Sequence, residues 1–172
     1  PAKSAGDKII IIGETGNDGN DTLYRAGLVD TMYPAVALFA EERTTMEATL
    51  AAFATGKIKA CSDLGAAGIG AAVCESARFG GFGAKVDLSK VPVRIKDIMP
   101  EEIFICETQA RMLVQVAPED VEEVLAAIRS QGGIAEMIGE ITNADEEIFT
   151  YGDQTIAVIP NHPSAELLAS LS

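Results

Sequence analysis

Tryptophan is absent from the 172 residues, and histidine occurs once. His162 sits beside Pro160 and Pro163 near the end of the chain, where no acid–base or nucleophilic arrangement can be built on it. It reads as a surface-loop residue. Basic residues are also scarce: 13 Lys and Arg face 26 Asp and Glu, for a formal net charge of −13. They form no cluster, which excludes the basic face a nucleic-acid binder needs and leaves a solvated acidic surface. The three cysteines, Cys61, Cys74 and Cys106, have no metal-type spacing and are odd in number. Each has apolar neighbours, so buried free thiols in a reducing cytoplasm are expected. Apolar runs are short, Ile9-Ile10-Ile11-Ile12 among them, and none is long enough to span a bilayer. The first seven residues, PAKSAGD, lack the apolar core of a secretory signal. A start on proline in place of methionine predicts a trimmed chain or a piece of a longer one.

What is present is an ordinary globular composition, 48 % hydrophobic and 23 % charged, in a chain long enough for one domain with a sizeable core. The isoleucine run reads as a buried strand ended by Gly13. Residues 22–43 show no dominant period. Thr44 or Thr45 can cap a helix to about Ala54, with Gly56 just past its end. Strands are expected at 57–62, 84–88, 111–117, 134–140, 147–151 and 155–159. Helices are expected at 66–78, from Pro100, at 118–131 and at 164–171. The helix after Pro118 has the clearest pattern, with Val121, Val124, Leu125 and Ile128 at helical spacing and Gly132-Gly133 closing it. Strands alternate with helices early and gather like hairpins late. That order predicts an α+β fold, a mixed sheet with helices packed on it, in a single domain over 1–172.

Three stretches carry candidate chemistry. The loop GETGNDG follows the first strand but matches neither phosphate-loop pattern, and its two acids would repel a phosphate, so a structural turn is the better reading. In CSDLGAAGIGAAVCES, Asp63 ends a strand and is followed by small residues. A single carboxylate there suits Mg²⁺, which takes one or two protein carboxylates and fills its other positions with water and phosphate. Small residues at 65–70 would then let phosphate approach. The alternative is that Asp63 caps the helix and the glycines serve packing. In IFICETQARML, the polar Glu107, Thr108 and Gln109 lie between two apolar elements, an arrangement suited to a polyhydroxylated ligand such as a ribose. The alternative is a polar loop with Arg111 paired to Glu107.

Taken in order, DLGAAGIGAAVCESA, GAKVDLSKVPVR, MPEEIFICETQARML, VAPEDVEEVLAAI and AEMIGEIT resemble phosphoribosylformylglycinamidine synthase of the small-subunit type. This is the formylglycinamide ribonucleotide amidotransferase of purine biosynthesis, within the aminoimidazole ribonucleotide synthetase-like superfamily. The resemblance implies a C-terminal-type subdomain with the layered fold of that superfamily, cut from a longer cytoplasmic synthetase that uses ATP and Mg. It assigns Asp63 to Mg²⁺ and Glu107, Thr108 and Gln109 to formylglycinamide ribonucleotide. The partners implied are the remaining synthetase subdomains and a glutaminase subunit supplying ammonia. The family's catalytic histidine belongs to other subdomains, so this chain alone is expected to be inactive.

The chain departs from the family pattern in three places. Threonine replaces the triplet's serine, no Gln occurs at 34–39 where the family has one, and Ala110 stands where a glutamate is usual. Two other readings follow: a non-catalytic scaffold or assembly domain, or a fragment of a selenophosphate, thiamine-phosphate or hydrogenase-maturation synthetase.

Overall fold

The computed structural model describes residues 1–34 and 36–162. The helix expected at 164–171 lies outside them. Lys8–Ile12 forms strand β1, in which all four isoleucines are fully buried. Successive side chains of a strand point to opposite faces, so a run of four apolar residues needs cover on both. Ile9 and Ile11 enter one core with Ile69, Val73, Leu113 and Phe149. Ile10 and Ile12 enter a second with Ala48, Val114, Val124 and Ile128.

Helix α1 spans Gly19–Arg25 and α2 spans Phe39–Ala54. β2 follows at Ala60–Asp63, α3 at Gly68–Gly80, β3 at Gly83–Asp87 and α4 at Pro100–Ile105. β4 is Met112–Val116, α5 is Val121–Ser130, and the last strands are β5 Ala135–Thr142, β6 Glu146–Tyr151 and β7 Gln154–Pro160. The strands form one mixed sheet in the order β2-β4-β1-β5-β3-β6-β7. α3 buries Ile69, Val73 and Ala77 in the first core, and α5 with α2 covers the second. Among the described residues, no helix is long and apolar enough to cross a membrane.

Three expectations needed correction. Helix α2 starts at Phe39, not at Thr44 or Thr45, whose hydroxyls instead donate back to the carbonyls of Ala40 and Glu41 inside the helix. Its period was hidden because both faces are apolar: Ala48 and Ala52 are buried while Phe39, Met46, Leu50 and Phe53 are exposed. The late strands are not a run of hairpins. β5 inserts between β1 and β3, and β6 pairs with β3 in parallel, leaving β6–β7 as the only hairpin among them. The strand read from Lys57 begins at Ala60, although Lys59 N–H still donates to Gln115 O at 2.9 Å.

Candidate active-site face

Sheet register gathers the candidate residues at one end. Asp63 lies opposite Met112, Met112 opposite Ile12, and Ile12 opposite Ala135. The segments adjoining those positions (Gly13-Glu14, Gln109-Ala110-Arg111, Gly133-Ile134 and the turn after Asp63) therefore share one edge of the molecule.

Arg111 organises this edge. Its side chain is buried, and it donates to Thr15 Oγ1 at 2.7 Å, to Thr108 O at 3.0 Å and to the carbonyl of Cys106. It does not pair with Glu107, as one reading of the loop had it. Burial lowers the Arg111 pKa, and the charge of Arg94 lowers it further, while Cys106 and Asp18 oppose. Thr108 is also buried, and its hydroxyl accepts from Gly16 N–H at 2.8 Å and lies 3.1 Å from Cys106 Sγ. Thr15 in turn forms a parallel bridge with Val93, donating to Pro92 O at 2.8 Å and accepting from Arg94 N–H at 2.9 Å. The GETGNDG loop thus serves as a structural turn that ties the 91–94 connector to the 106–111 segment.

Glu107 and Gln109 are exposed on either side of the buried Thr108. Ala110, which follows, holds a left-handed φ of 64°, a conformation that costs a non-glycine residue roughly 1–2 kcal/mol. Glu107 Oε1 accepts from Ala67 N–H at 3.1 Å. That bond joins the 107–109 segment to the turn that follows Asp63.

Asp63 itself is exposed at the end of β2 and does not cap α3. The helix begins two residues later than expected, at Gly68, after Ala67 in a left-handed φ of 58° with no side-chain cap. The small residues divide into two groups. A Cβ on Gly68 would lie 2.1 Å from Cys106 O, and one on Gly70 would lie 2.5 Å from Phe104 Cζ, so these two permit close packing. Gly65, Ala66 and Ala67 are instead exposed, and a Cβ on Gly65 would lie 3.3 Å from the Asp63 carboxylate. No group of three or more His, Cys, Asp or Glu side chains suited to a metal occurs among the described residues. A lone exposed carboxylate with small neighbours fits Mg²⁺, whose shell is completed by water and phosphate oxygens.

Next to the triplet lies a cleft of about 290 Å³ whose lining includes Gly13, Glu14, Thr45, Arg94, Gln109 and Arg111. Sequence reasoning overlooked Arg94 and Thr15 here. The Val91-Pro92-Val93 connector gives no periodic signal, and its bridge to Thr15 joins positions far apart in the chain.

The model of the AIR synthase related protein, C-terminal domain, matches residues 4–152. The chain belongs to that family. This AIR synthase related C-terminal domain is 42 % identical over 128 residues to phosphoribosylformylglycinamidine synthase subunit PurL of Methanopyrus kandleri, covering 74 % of the chain and 17 % of that protein. The structure of Thermotoga maritima PurL complexed with FGAR matches with a TM-score of 0.80 and 29 % identity, over 93 % of this chain and 28 % of that one. T. maritima PurL complexed with ATP matches with a TM-score of 0.76 and 30 % identity, over 98 % and 26 % respectively. The domain therefore spans less than a third of the length of each. Escherichia coli HypE, at 22 % identity and a TM-score of 0.66, shares the fold alone.

Proposed function

We propose that this domain is part of an ATP-dependent synthetase that converts formylglycinamide ribonucleotide to formylglycinamidine ribonucleotide. The observation that carries the reading is the convergence of the Asp63 turn and the 107–109 segment at one sheet end, joined by the Glu107–Ala67 hydrogen bond. The PurL names of its relatives and the FGAR and ATP complexes of T. maritima PurL support it. In the reaction, the γ-phosphoryl of ATP passes to the substrate's amide oxygen, and ammonia from a glutaminase partner then displaces phosphate to leave the amidine. Glu107 and Gln109 present a carboxylate and an amide to the ribonucleotide. Thr108 takes part by holding both in place, because its hydroxyl is committed to Gly16. Asp63 would hold Mg²⁺, which when bound neutralises phosphoryl charge. The remaining synthetase subdomains supply the other contacts, in a cytoplasmic enzyme.

The test is turnover by the full-length polypeptide given formylglycinamide ribonucleotide, ATP and ammonium. Asp63→Asn is expected to lower kcat by orders of magnitude without unfolding the protein, and Glu107→Gln to raise KM. Full activity of the Asn variant at limiting Mg²⁺ would rule out the metal role. Absence of ATP- and ammonia-dependent product from the wild type would rule out the function.

A further inference from the structure

On the second face of the sheet, the core under α2 and α5 reaches only as far as β1 and the start of β5. Beyond it, register sets Glu140 opposite both Lys8 and Lys85, Lys85 opposite Ile148, and Ile148 opposite Val158. Partners across a ladder share a face, and side chains alternate along a strand. This row therefore points away from the first core, which Ala84, Val86 and Phe149 enter from the same strands. Lys85 and Val158 are exposed on it. A hollow of about 420 Å³ lies there, and its lining includes Lys8, Lys85, Lys90, Met137 and Ile148. That volume falls within the usual range of small-molecule sites, roughly 300–1,000 Å³.

The two carboxylates of the hollow, Asp87 and Glu140, already have donors. Glu140 accepts from Lys8 Nζ at 2.5 Å, and Asp87 Oδ1 accepts from Ser89 N–H at 3.1 Å, Ser89 Oγ at 2.6 Å and Gly152 N–H at 3.2 Å. Lys85 and Lys90 form no ion pair among the described residues. The hydrogen bond and charge of Lys8 hold the Glu140 carboxyl below its ordinary pKa, and the charge of Lys85 adds to that shift. Three ammonium groups thus stand against two committed carboxylates, an excess of positive charge in a chain whose formal net charge is −13. Acids farther off are screened beyond about 10 Å at 0.1 M salt. Met137 and Ile148, both half-buried, give the hollow an apolar wall. A bare inorganic anion would leave that wall wet, and a purely apolar molecule would strip water from the ammonium groups without replacing it. A phosphate monoester carries nearly two negative charges near pH 7 and meets two separate ammonium groups, which a singly charged carboxylate does less well.

We propose that this hollow binds a small organic phosphate, with the phosphate between Lys85 and Lys90 and a flat apolar body against Met137 and Ile148. The site is separate from the candidate active-site edge. β5 runs from Ala135 at that edge to Glu140 at the hollow, a distance of roughly 15 Å along the strand. The bound molecule is an effector and not a substrate of the reaction proposed above, and the inference does not rest on that reaction.

The experiment measures binding of 1-naphthyl phosphate, 1-naphthol and inorganic phosphate to the full-length polypeptide by titration calorimetry, with ATP held at saturation. Wild type is expected to bind 1-naphthyl phosphate more tightly than either of its parts. Lys85→Met and Lys90→Met should each weaken it about 10-fold. Both lysines are exposed, so these variants should keep the wild-type urea midpoint. Ile148→Thr should weaken 1-naphthyl phosphate and leave inorganic phosphate unchanged. No binding of 1-naphthyl phosphate by wild type would overturn the proposal. So would affinity unaltered in both lysine variants, which would put the probe elsewhere on the molecule. Binding of 1-naphthol as tight as that of its phosphate would also overturn it, since the ammonium groups would then contribute nothing.

Discussion

Thr108 offers the sharpest test of how this site is built, because its hydroxyl faces inward. The side chain is 5 % exposed, and its Oγ1 accepts the Gly16 N–H at 2.8 Å. Thr108→Val keeps the shape and removes the acceptor, leaving that N–H buried and unpaired at a cost of about 1–3 kcal/mol. A methyl group also cannot sit 2.8 Å from an amide nitrogen, so the 15–16 turn must move away from the 106–109 segment. In urea the midpoint should fall with an unchanged m-value, and the melting temperature should fall by roughly 2–4 °C per kcal/mol. Thr108→Ser keeps the hydroxyl and loses one methyl, costing about 1 kcal/mol. The discriminating assay is amide hydrogen exchange at Gly16: protection should be lost in the Val variant and kept in the Ser variant. A Val variant with wild-type stability and a protected Gly16 amide would refute the reasoning.

Other outcomes follow from burial and charge. Gly68→Ala should destabilise by about 3 kcal/mol or more in urea unfolding, since its Cβ would meet the Cys106 backbone, whereas Gly56→Ala, with nothing within 4 Å, should cost only about 1–2 kcal/mol for its positive φ. Glu147 is fully buried, and desolvation raises its pKa above the ordinary 4.5 even though Arg78 opposes the shift. Its contribution to stability is therefore present below pH 4.5 and is lost as pH rises through the raised value. Glu147→Gln should gain stability relative to wild type between pH 4 and pH 7, read from urea midpoints; a constant difference would contradict this. Burial, with Glu147 nearby, pushes the Cys74 thiol up to about 12, so iodoacetamide at pH 8 should modify it only after unfolding. Rapid labelling in the folded protein would show that the thiol is not shielded.

Much of the fold was legible because its signals are local. The four isoleucines of β1 and the 121, 124, 125, 128 spacing of α5 report burial directly, and both elements form where the pattern put them. Gly81, in a left-handed φ of 78°, ends α3 where the glycine cluster predicted a break. Pro100 opens α4 with two acids in its first turn, as expected from the fixed φ of proline and the positive end of a helix. The α2 boundary was missed because threonine satisfies its hydroxyl equally well at a cap or against a carbonyl one turn back, and sequence does not distinguish the two. At the site, Asp63, Glu107 and Gln109 were visible as polar residues beside apolar elements. The inward commitment of Thr108 was not, since it depends on a partner, Gly16, that lies 92 positions away.

The sequence by itself determined the mixed α+β class, the acidic surface and the family, because composition, periodicity and ordered motifs are properties of neighbouring residues. Strand order was decided only in three dimensions. β5 lies between β1 and β3, and β6 runs parallel to β3, because pairing minimises exposed backbone across the whole sheet and not between neighbours in the chain. Tertiary structure also decided what Arg111 does. The chain order leaves open whether Arg111 pairs with Glu107; in the fold Arg111 is buried and donates to the carbonyls of Thr108 and Cys106 instead. Glu107 accepts from Ala67 N–H in the turn after Asp63, and Arg94, whose backbone N–H donates to Thr15 O, keeps its buried Nε without a hydrogen-bond partner among the described residues.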